Sequence, residues 1–353
     1  MPKSVSEQVV VIAGASSGIG RASALAFAAR GANVVCAARG RQALDSLVDT
    51  IVADGGTAIA VETDVADAAA VRALAVAAEG RFGRIDTWVN VAAIGIWGRF
   101  EEITDEEFDR VMRVNFLGQV HGVRAALPAL RRAGGGGIIG VSSVEGVRAV
   151  PLHAPYTASK WALRGFYDVL RIELAQEAAP ITVSTILPAS IDTPLFEHSR
   201  SKLGVMPKPP PPVYAPEIVA HAIVHTAEHP RREVAVGGSA LGFFAGQYLC
   251  PALTEALLSI PRLGVDAFRS ARPDDGVDNI EAPMVGPGQV HGSYPGQVLR
   301  RSVVTAVLSR IPRPGEIFAG ALTTMRRARG GAPPPPRHVS GVSAAKPSPR
   351  TAR

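Results

Sequence analysis

The stretch Val9-Val10-Val11-Ile12-Ala13-Gly14-Ala15-Ser16-Ser17-Gly18-Ile19-Gly20 decides the fold. Its first five residues are apolar and mostly β-branched, the composition of a strand buried on both faces. The Ala-rich run Arg21–Arg30 follows and stops at Gly31, which reads as a helix with a glycine end. Strand, glycine turn and helix in succession suit an anion. Missing side chains let the backbone approach a pyrophosphate, and the helix start offers free N–H groups and the positive end of a dipole. Gly14, Ser16, Ser17, Gly18, Ile19 and Gly20 are therefore the candidate phosphate residues. Their spacing, Gly-x-x-x-Gly-x-Gly, differs from the commoner Gly-x-Gly-x-x-Gly.

A second apolar strand, Asn33–Ala38, follows at the distance of a βαβ unit. An acid at its end would grip the adenosine ribose of NAD. Here Ala38 is followed by Arg39, and a fork of guanidinium donors suits a 2′-phosphate instead. The reading is NADP(H), with NAD(H) second. Further strands are predicted at Ala58–Val61, Ile85–Val91, Gly137–Val141, Ile181–Leu187 and Glu233–Val236. Helices are predicted at Asp105–Arg132, which Pro128 ends or kinks, and at Ala154–Ala178 and Pro216–Glu228. This alternation implies an α/β fold with a parallel sheet and helices on both faces.

The run Tyr156-Thr157-Ala158-Ser159-Lys160 carries the chemistry. A tyrosine and a lysine four apart share one helix face. An ammonium beside a phenol favours phenolate, so the tyrosine is expected to exchange its proton below its ordinary value of about 10. Reduction of a carbonyl needs such an acid, placed to protonate oxygen as a hydride reaches carbon.

Together these segments resemble the short-chain dehydrogenase/reductase family over about residues 5–240. Gly14, Gly18 and Gly20 fit its cofactor loop, with Ala13 where many members carry Thr. Asp64-Val65 fits its adenine-contacting pair, and Asn90-Val91-Ala92-Ala93 resembles its Asn-Asn-Ala-Gly motif, with departures at Val91 and Ala93. Asn115 fits the asparagine that supports a proton-relay water. Ser143 lies thirteen residues before Tyr156, the family's usual interval, which selects it over Ser142. Pro188-Ala189-Ser190-Ile191-Asp192-Thr193 resembles the segment that holds the nicotinamide amide, Ala189 replacing Gly. The resemblance implies a Rossmann-type doubly wound parallel sheet of about seven strands in the order 3-2-1-4-5-6-7. It implies Asn115, Ser143, Tyr156 and Lys160 as catalytic residues. The implied cofactor set is the glycine loop with Arg39, Asp64, Val65, Asn90, Tyr156, Lys160, Pro188, Ile191 and Thr193. The habit of the family is a homodimer or homotetramer.

Composition bounds the rest. With 353 residues, 47% of them hydrophobic, the chain can bury a large core. Two cysteines, Cys36 and Cys250, allow no disulfide framework, and Met1–Gln8 has no apolar signal region, so a reducing cytoplasm is expected. The net charge of +6 is concentrated in Thr323–Arg353, which holds seven Lys/Arg and no acid. A solvated, disordered tail is expected there, with no nucleic-acid partner. The predicted division is 1–238 catalytic, 239–328 a helical extension and 329–353 the tail. Ser201–Pro212 is expected to be a stiff loop capping the substrate, and Ala271–Gln297 is turn-rich. Ser302–Ile311 and Ile317–Met325 suggest short amphipathic helices. The uncharged run Ser239–Thr254 is too short and interrupted to span a bilayer and would pack on the core, shape a substrate entrance, bury at a subunit contact or touch a membrane surface. His221 and His225 share a helix face, but no tight cluster of acids or cysteines beyond Glu217 completes a site, so no metal is expected. Ile94, Ile96, Trp97, Val150, Leu152, Leu195 and Phe196 are candidate lid residues and point to an apolar carbonyl or alcohol. The leading expectation is a ketone/secondary-alcohol oxidoreductase. Reduction of 3-oxoacyl thioesters stands behind it, and a non-catalytic NADP-binding interaction module is the alternative of another class.

Overall fold

The protein, seen in a computed structural model that describes residues 2–308, is built on one parallel sheet. Its strands are β1 (Val9–Ala13), β2 (Asn33–Ala38), β3 (Thr57–Glu62), β4 (Thr87–Asn90), β5 (Gly136–Val141), β6 (Ile181–Pro188) and β7 (Glu233–Val236). Their order is 3-2-1-4-5-6-7, as expected, and every pairing is parallel. β1 sits in the middle with all five residues buried.

The period of two along each strand feeds two separate cores. Val11 with Val35 faces one side, and Val10 and Ile12 with Val34 and Cys36 face the other. Helices α1 (Gly18–Ala28), α2 (Arg41–Ala53) and α7 (Pro216–Glu228) cover the second side through Phe27, Leu44, Leu47, Ile51 and Ile223. Helices α3 (Ala68–Phe82), α4 (Asp105–Met112), α5 (Gly118–Arg132) and α6 (Ala154–Gln176) cover the first, with Leu74, Val111, Leu130, Leu163 and Leu170. Each such side chain is worth about 1.5–3 kcal/mol when fully buried. Docking of the helices therefore rests on these stripes more than on helix propensity.

The region expected as one helix from Asp105 is α4 and α5 joined by a π turn, Arg113–Leu117. Pro128 does not end it; α5 runs on to Arg132. Part of Ser201–Pro212, expected as a loop, forms short strands. Arg200–Ser201 pairs with Ile96–Trp97, and Val205–Pro207 pairs with Arg269–Pro273.

Beyond β7, helices Ala240–Tyr248, Pro251–Leu258 and Pro261–Gly264 follow. The chain then returns across the carboxyl edge of the sheet. Val298–Leu299 pairs with Val213–Tyr214, and helix Val303–Leu308 comes next. The remainder of the expected Ser302–Ile311 helix, Ile317–Met325 and the basic tail lie outside the described residues. Cys36 is buried in β2, Cys250 is exposed, and both are free. Among the described residues no helix is long and apolar enough to cross a membrane.

Candidate active site

A cavity of about 480 Å³ lies along the carboxyl ends of the sheet strands, where open α/β sheets bind ligands. Gly14, Ser16, Ser17, Gly18, Ile19 and Gly20 all line it. Arg39, Asp64 and Val65 line it on the side of β2 and β3. Ser143, Tyr156, Lys160, Pro188, Ile191 and Thr193 line it on the side of β5 and β6. The glycines are required by close packing. A Cβ on Gly20 would fall 1.9 Å from the Gly14 carbonyl oxygen. Gly14 has φ +105°, and a Cβ there would lie 2.4 Å from the Ala92 nitrogen.

Two predicted residues are placed elsewhere. Asn90 does not line the cavity, although Val91, Ala92 and Ala93 do. Its carbonyl accepts from Trp88 Nε1 (2.9 Å) and its amide donates to the Tyr167 hydroxyl (3.3 Å), which in turn donates to Gln119 (2.6 Å). Asn90 therefore braces the sheet from within. Asn115 stands in the π turn, fully buried, and its side chain is engaged by the Ile94 backbone (2.9 and 3.0 Å) and Ser159 Oγ (3.2 Å). Its side chain makes no hydrogen bond to Lys160 in this arrangement.

Tyr156 and Lys160 share the buried face of α6, and the Lys160 nitrogen is 5.1 Å from the Tyr156 ring centroid. The expected acidification is not what the protein alone supplies. Burial, and then the Glu145 carboxylate, push the Tyr156 hydroxyl above its ordinary range, against a lowering hydrogen bond with Ser143. Burial brings Lys160 down to about 7, with Glu145 opposing, and its nitrogen donates to the Val141 carbonyl (3.1 Å). In an interior this dry, desolvation outweighs the attraction between neighbours.

The Lys160 shift has a sign that can be measured. An unfolded lysine titrates near about 10.4. Between about pH 7 and that value the unfolded chain holds a proton that the folded chain lacks, so stability rises with pH across the window. The melting temperature of the unliganded protein minus that of Lys160→Met is expected to climb from pH 7 to about 10. Parallel curves in a thermal-shift titration would mean that the ammonium keeps its water.

The sequence reading missed a cluster beside the tyrosine. Glu145 accepts from Thr157 Oγ1 (2.8 Å) and lies 3.1 Å from His153 Nδ1. The His153 ring stacks on Tyr156 at 4.3 Å and on Trp97 at 3.8 Å. A charged residue two positions after Ser143, in an interval of mostly small and apolar residues, was the available signal. Of the candidate lid residues, Ile94, Trp97, Val150, Leu195 and Phe196 line the cavity, joined by Met206, Phe243 and Phe268. Ile96 is buried in the core and Leu152 packs beside Trp97. Arg39 is also more occupied than expected, since its guanidinium donates to the carbonyls of Asn279, Ile280 (3.3 Å) and Glu281 (3.1 Å). Among the described residues no cluster of His, Cys, Asp and Glu is placed to hold a metal.

Comparison with known proteins adds to this geometry. The family model described as short chain dehydrogenase matches residues 8–204. An uncharacterized oxidoreductase of Bacillus subtilis, YxnA, is 41% identical over 258 residues, 72% of each chain. A short chain dehydrogenase/reductase from Burkholderia phymatum, solved in complex with NAD, superposes with a TM-score of 0.63 at 28% identity, covering 69% of this chain and 93% of its own. An alcohol dehydrogenase from the archaeon Thermococcus sibiricus, complexed with 5-hydroxy-NADP, gives 0.57 at 28% identity, covering 65% and 95%.

Proposed function

Because the chain belongs to the short-chain dehydrogenase family of oxidoreductases, we propose that it interconverts a ketone and a secondary alcohol on a fairly apolar substrate, with NADP(H) as cofactor. One observation carries this reading: Ser143, Tyr156 and Lys160 meet in the same cavity as the glycine loop. The residues present fit a dinucleotide. The loop leaves no room for side chains at Gly14 and Gly20, the start of α1 faces the cavity, and polar groups stand at both ends. When bound, the nicotinamide supplies or accepts the hydride.

The protein's part is position and proton. Tyr156 gives its phenolic proton to the substrate oxygen in reduction and takes it back in oxidation. Ser143, which lines the same cavity as Tyr156, donates to the same oxygen and holds it in place. Lys160 holds the hydroxyls of the nicotinamide ribose, and when it is protonated its charge opposes the burial that keeps the phenol protonated. Ile191 by its backbone and Thr193 by its hydroxyl hold the nicotinamide amide. Trp97, Phe196, Phe243 and Phe268 give the substrate end its apolar walls and exclude water. NADP(H) is preferred in this reading because Ala38 and Arg39 stand where a ribose-gripping acid would. A cytoplasmic homodimer or homotetramer completes the proposal. Exposed Leu249, just past the first extension helix, and Leu253 and Leu257 on the second would be the surface for any peripheral contact with a membrane.

The test mixes purified protein with a panel of ketones and follows nicotinamide absorbance with NADPH and with NADH. Oxidation of NADPH, at a kcat/KM for cofactor at least about tenfold above that for NADH, is expected. The reverse preference would overturn the role given to Arg39. Turnover strictly dependent on a carrier-bound acyl chain would make the substrate a 3-oxoacyl thioester. Cofactor binding with no turnover across the panel would make the protein a binding module.

A further inference from the structure

Residues Asp278–Tyr294 cross the cofactor loop as a strap fixed at both ends. At one end Ile280 is fully buried and its carbonyl accepts from Arg110 Nε (3.0 Å), while Asp278 pairs with Arg200 (2.7 Å). At the other end the Tyr294 N–H donates to Asp192 (3.4 Å), shortly before Val298–Leu299 joins Val213–Tyr214. Between these anchors, Glu281–Gly292 buries no residue fully, and Val285 is 96% exposed.

The middle touches the glycine loop and the helices beside it through its backbone. The Gln289 carbonyl accepts from the Gly18 N–H (2.8 Å). The Pro287 carbonyl accepts from Arg21 Nη1 (3.0 Å), and the Gly286 N–H donates to Gln42 Oε1 (3.1 Å). Gly288, at φ +75°, lies so close that a Cβ there would meet the Ser16 carbonyl oxygen at 2.2 Å.

These contacts engage groups that a dinucleotide needs. The Gly18 N–H belongs to the helix start that would face a pyrophosphate, and it is already hydrogen-bonded to Gln289. Arg39, assigned to the 2′-phosphate, is donating to three carbonyls at the strap's first anchor. One N–H cannot serve a carbonyl and a phosphate at full strength.

We propose, building on the dinucleotide reading above, that Glu281–Gly292 is a gate. Its middle lifts from the glycine loop to admit the cofactor and closes to slow its exchange, while Ile280 and Val298–Leu299 stay anchored. The energetics suit opening. A neutral hydrogen bond contributes only about 0.5–1.5 kcal/mol net and one from a charged group such as Arg21 about 1.5–3, and no buried apolar side chain holds the middle down. The closed fraction lowers the rate and apparent affinity of cofactor binding.

The test locks and loosens the strap. A Cβ on Gly40 would lie 3.4 Å from Pro283 Cβ, close to the roughly 3.5–4.5 Å of a disulfide. Gly40→Cys with Pro283→Cys, on a Cys250→Ser background, should cross-link on oxidation, as checked by mass. Stopped-flow NADPH fluorescence is expected to show association at least about tenfold slower in the oxidised form than in the same protein after reduction. Gly288→Val cannot rest on Ser16 and is expected to associate at least about tenfold faster than the native chain. Equal rates in the oxidised and reduced forms overturn the gate. So does an unchanged rate in Gly288→Val. NADPH binding in none of the forms overturns the dinucleotide reading, and the gate with it.

Discussion

Tyr156→Phe is expected to abolish turnover, a loss of at least about 10²–10⁴-fold, while NADPH still binds. The substitution keeps the ring, so the stack on His153 at 4.3 Å survives. What goes is one hydroxyl, on a residue only 7% exposed. No other acid is set to replace it. Glu145 is tied to His153 and Thr157, and the Lys160 nitrogen points to the Val141 carbonyl. The glycine loop proposed to hold the phosphates follows a different strand and is untouched. Steady-state turnover and a fluorescence titration of NADPH on the same preparation separate the two effects. Turnover near that of the native chain would remove the phenol from the mechanism.

Gly20→Ala is expected to weaken NADPH binding by at least about 100-fold, or about 2.8 kcal/mol. The new methyl carbon would lie 1.9 Å from the Gly14 carbonyl oxygen. Neither atom belongs to a flexible side chain, so the turn itself must move. Inserting a methyl into tight packing costs typically about 1–3 kcal/mol, and here the cost falls on the segment proposed to hold the phosphates. Gly165→Ala is the control. Gly165 lies within α6 with nothing inside 4 Å of its would-be Cβ, so that variant should bind normally and gain up to about 1 kcal/mol of stability. Equal dissociation constants for the two variants would show that the turn is not the phosphate cradle.

Much of this was legible because it follows from periodicity and from side chains absent where the backbone must pass. The β-branched run Val9–Ile12, Gly14, Gly18 and Gly20, and the strand Asn33–Ala38 place the first βαβ unit with few alternatives. The four-residue interval from Tyr156 to Lys160 put both on one buried face, as a helix requires. The strap was not legible, since Gln289, Pro287 and Asn279 act there through carbonyl oxygens that every residue carries. Nor was the direction of the Tyr156 shift. Spacing shows which charges are near but not how dry the site is, and burial decided the outcome. Asn90 shows a third limit: its place at the strand end was readable, but the turn of its amide toward Trp88 and Tyr167 depends on partners distant in sequence.

The stack of Trp97 on His153 gives the protein an internal optical reporter. Its three tryptophans occupy three different media: Trp88 is in the dry core, Trp97 borders the apolar walls of the cavity, and Trp161 is 41% open to solvent. An iodide quencher will reach the last long before the others. A substrate of the proposed kind, seated against the aromatic walls, is expected to perturb the second, and only global melting will expose the first. Indole emission alone can thus distinguish occupancy from unfolding without a label.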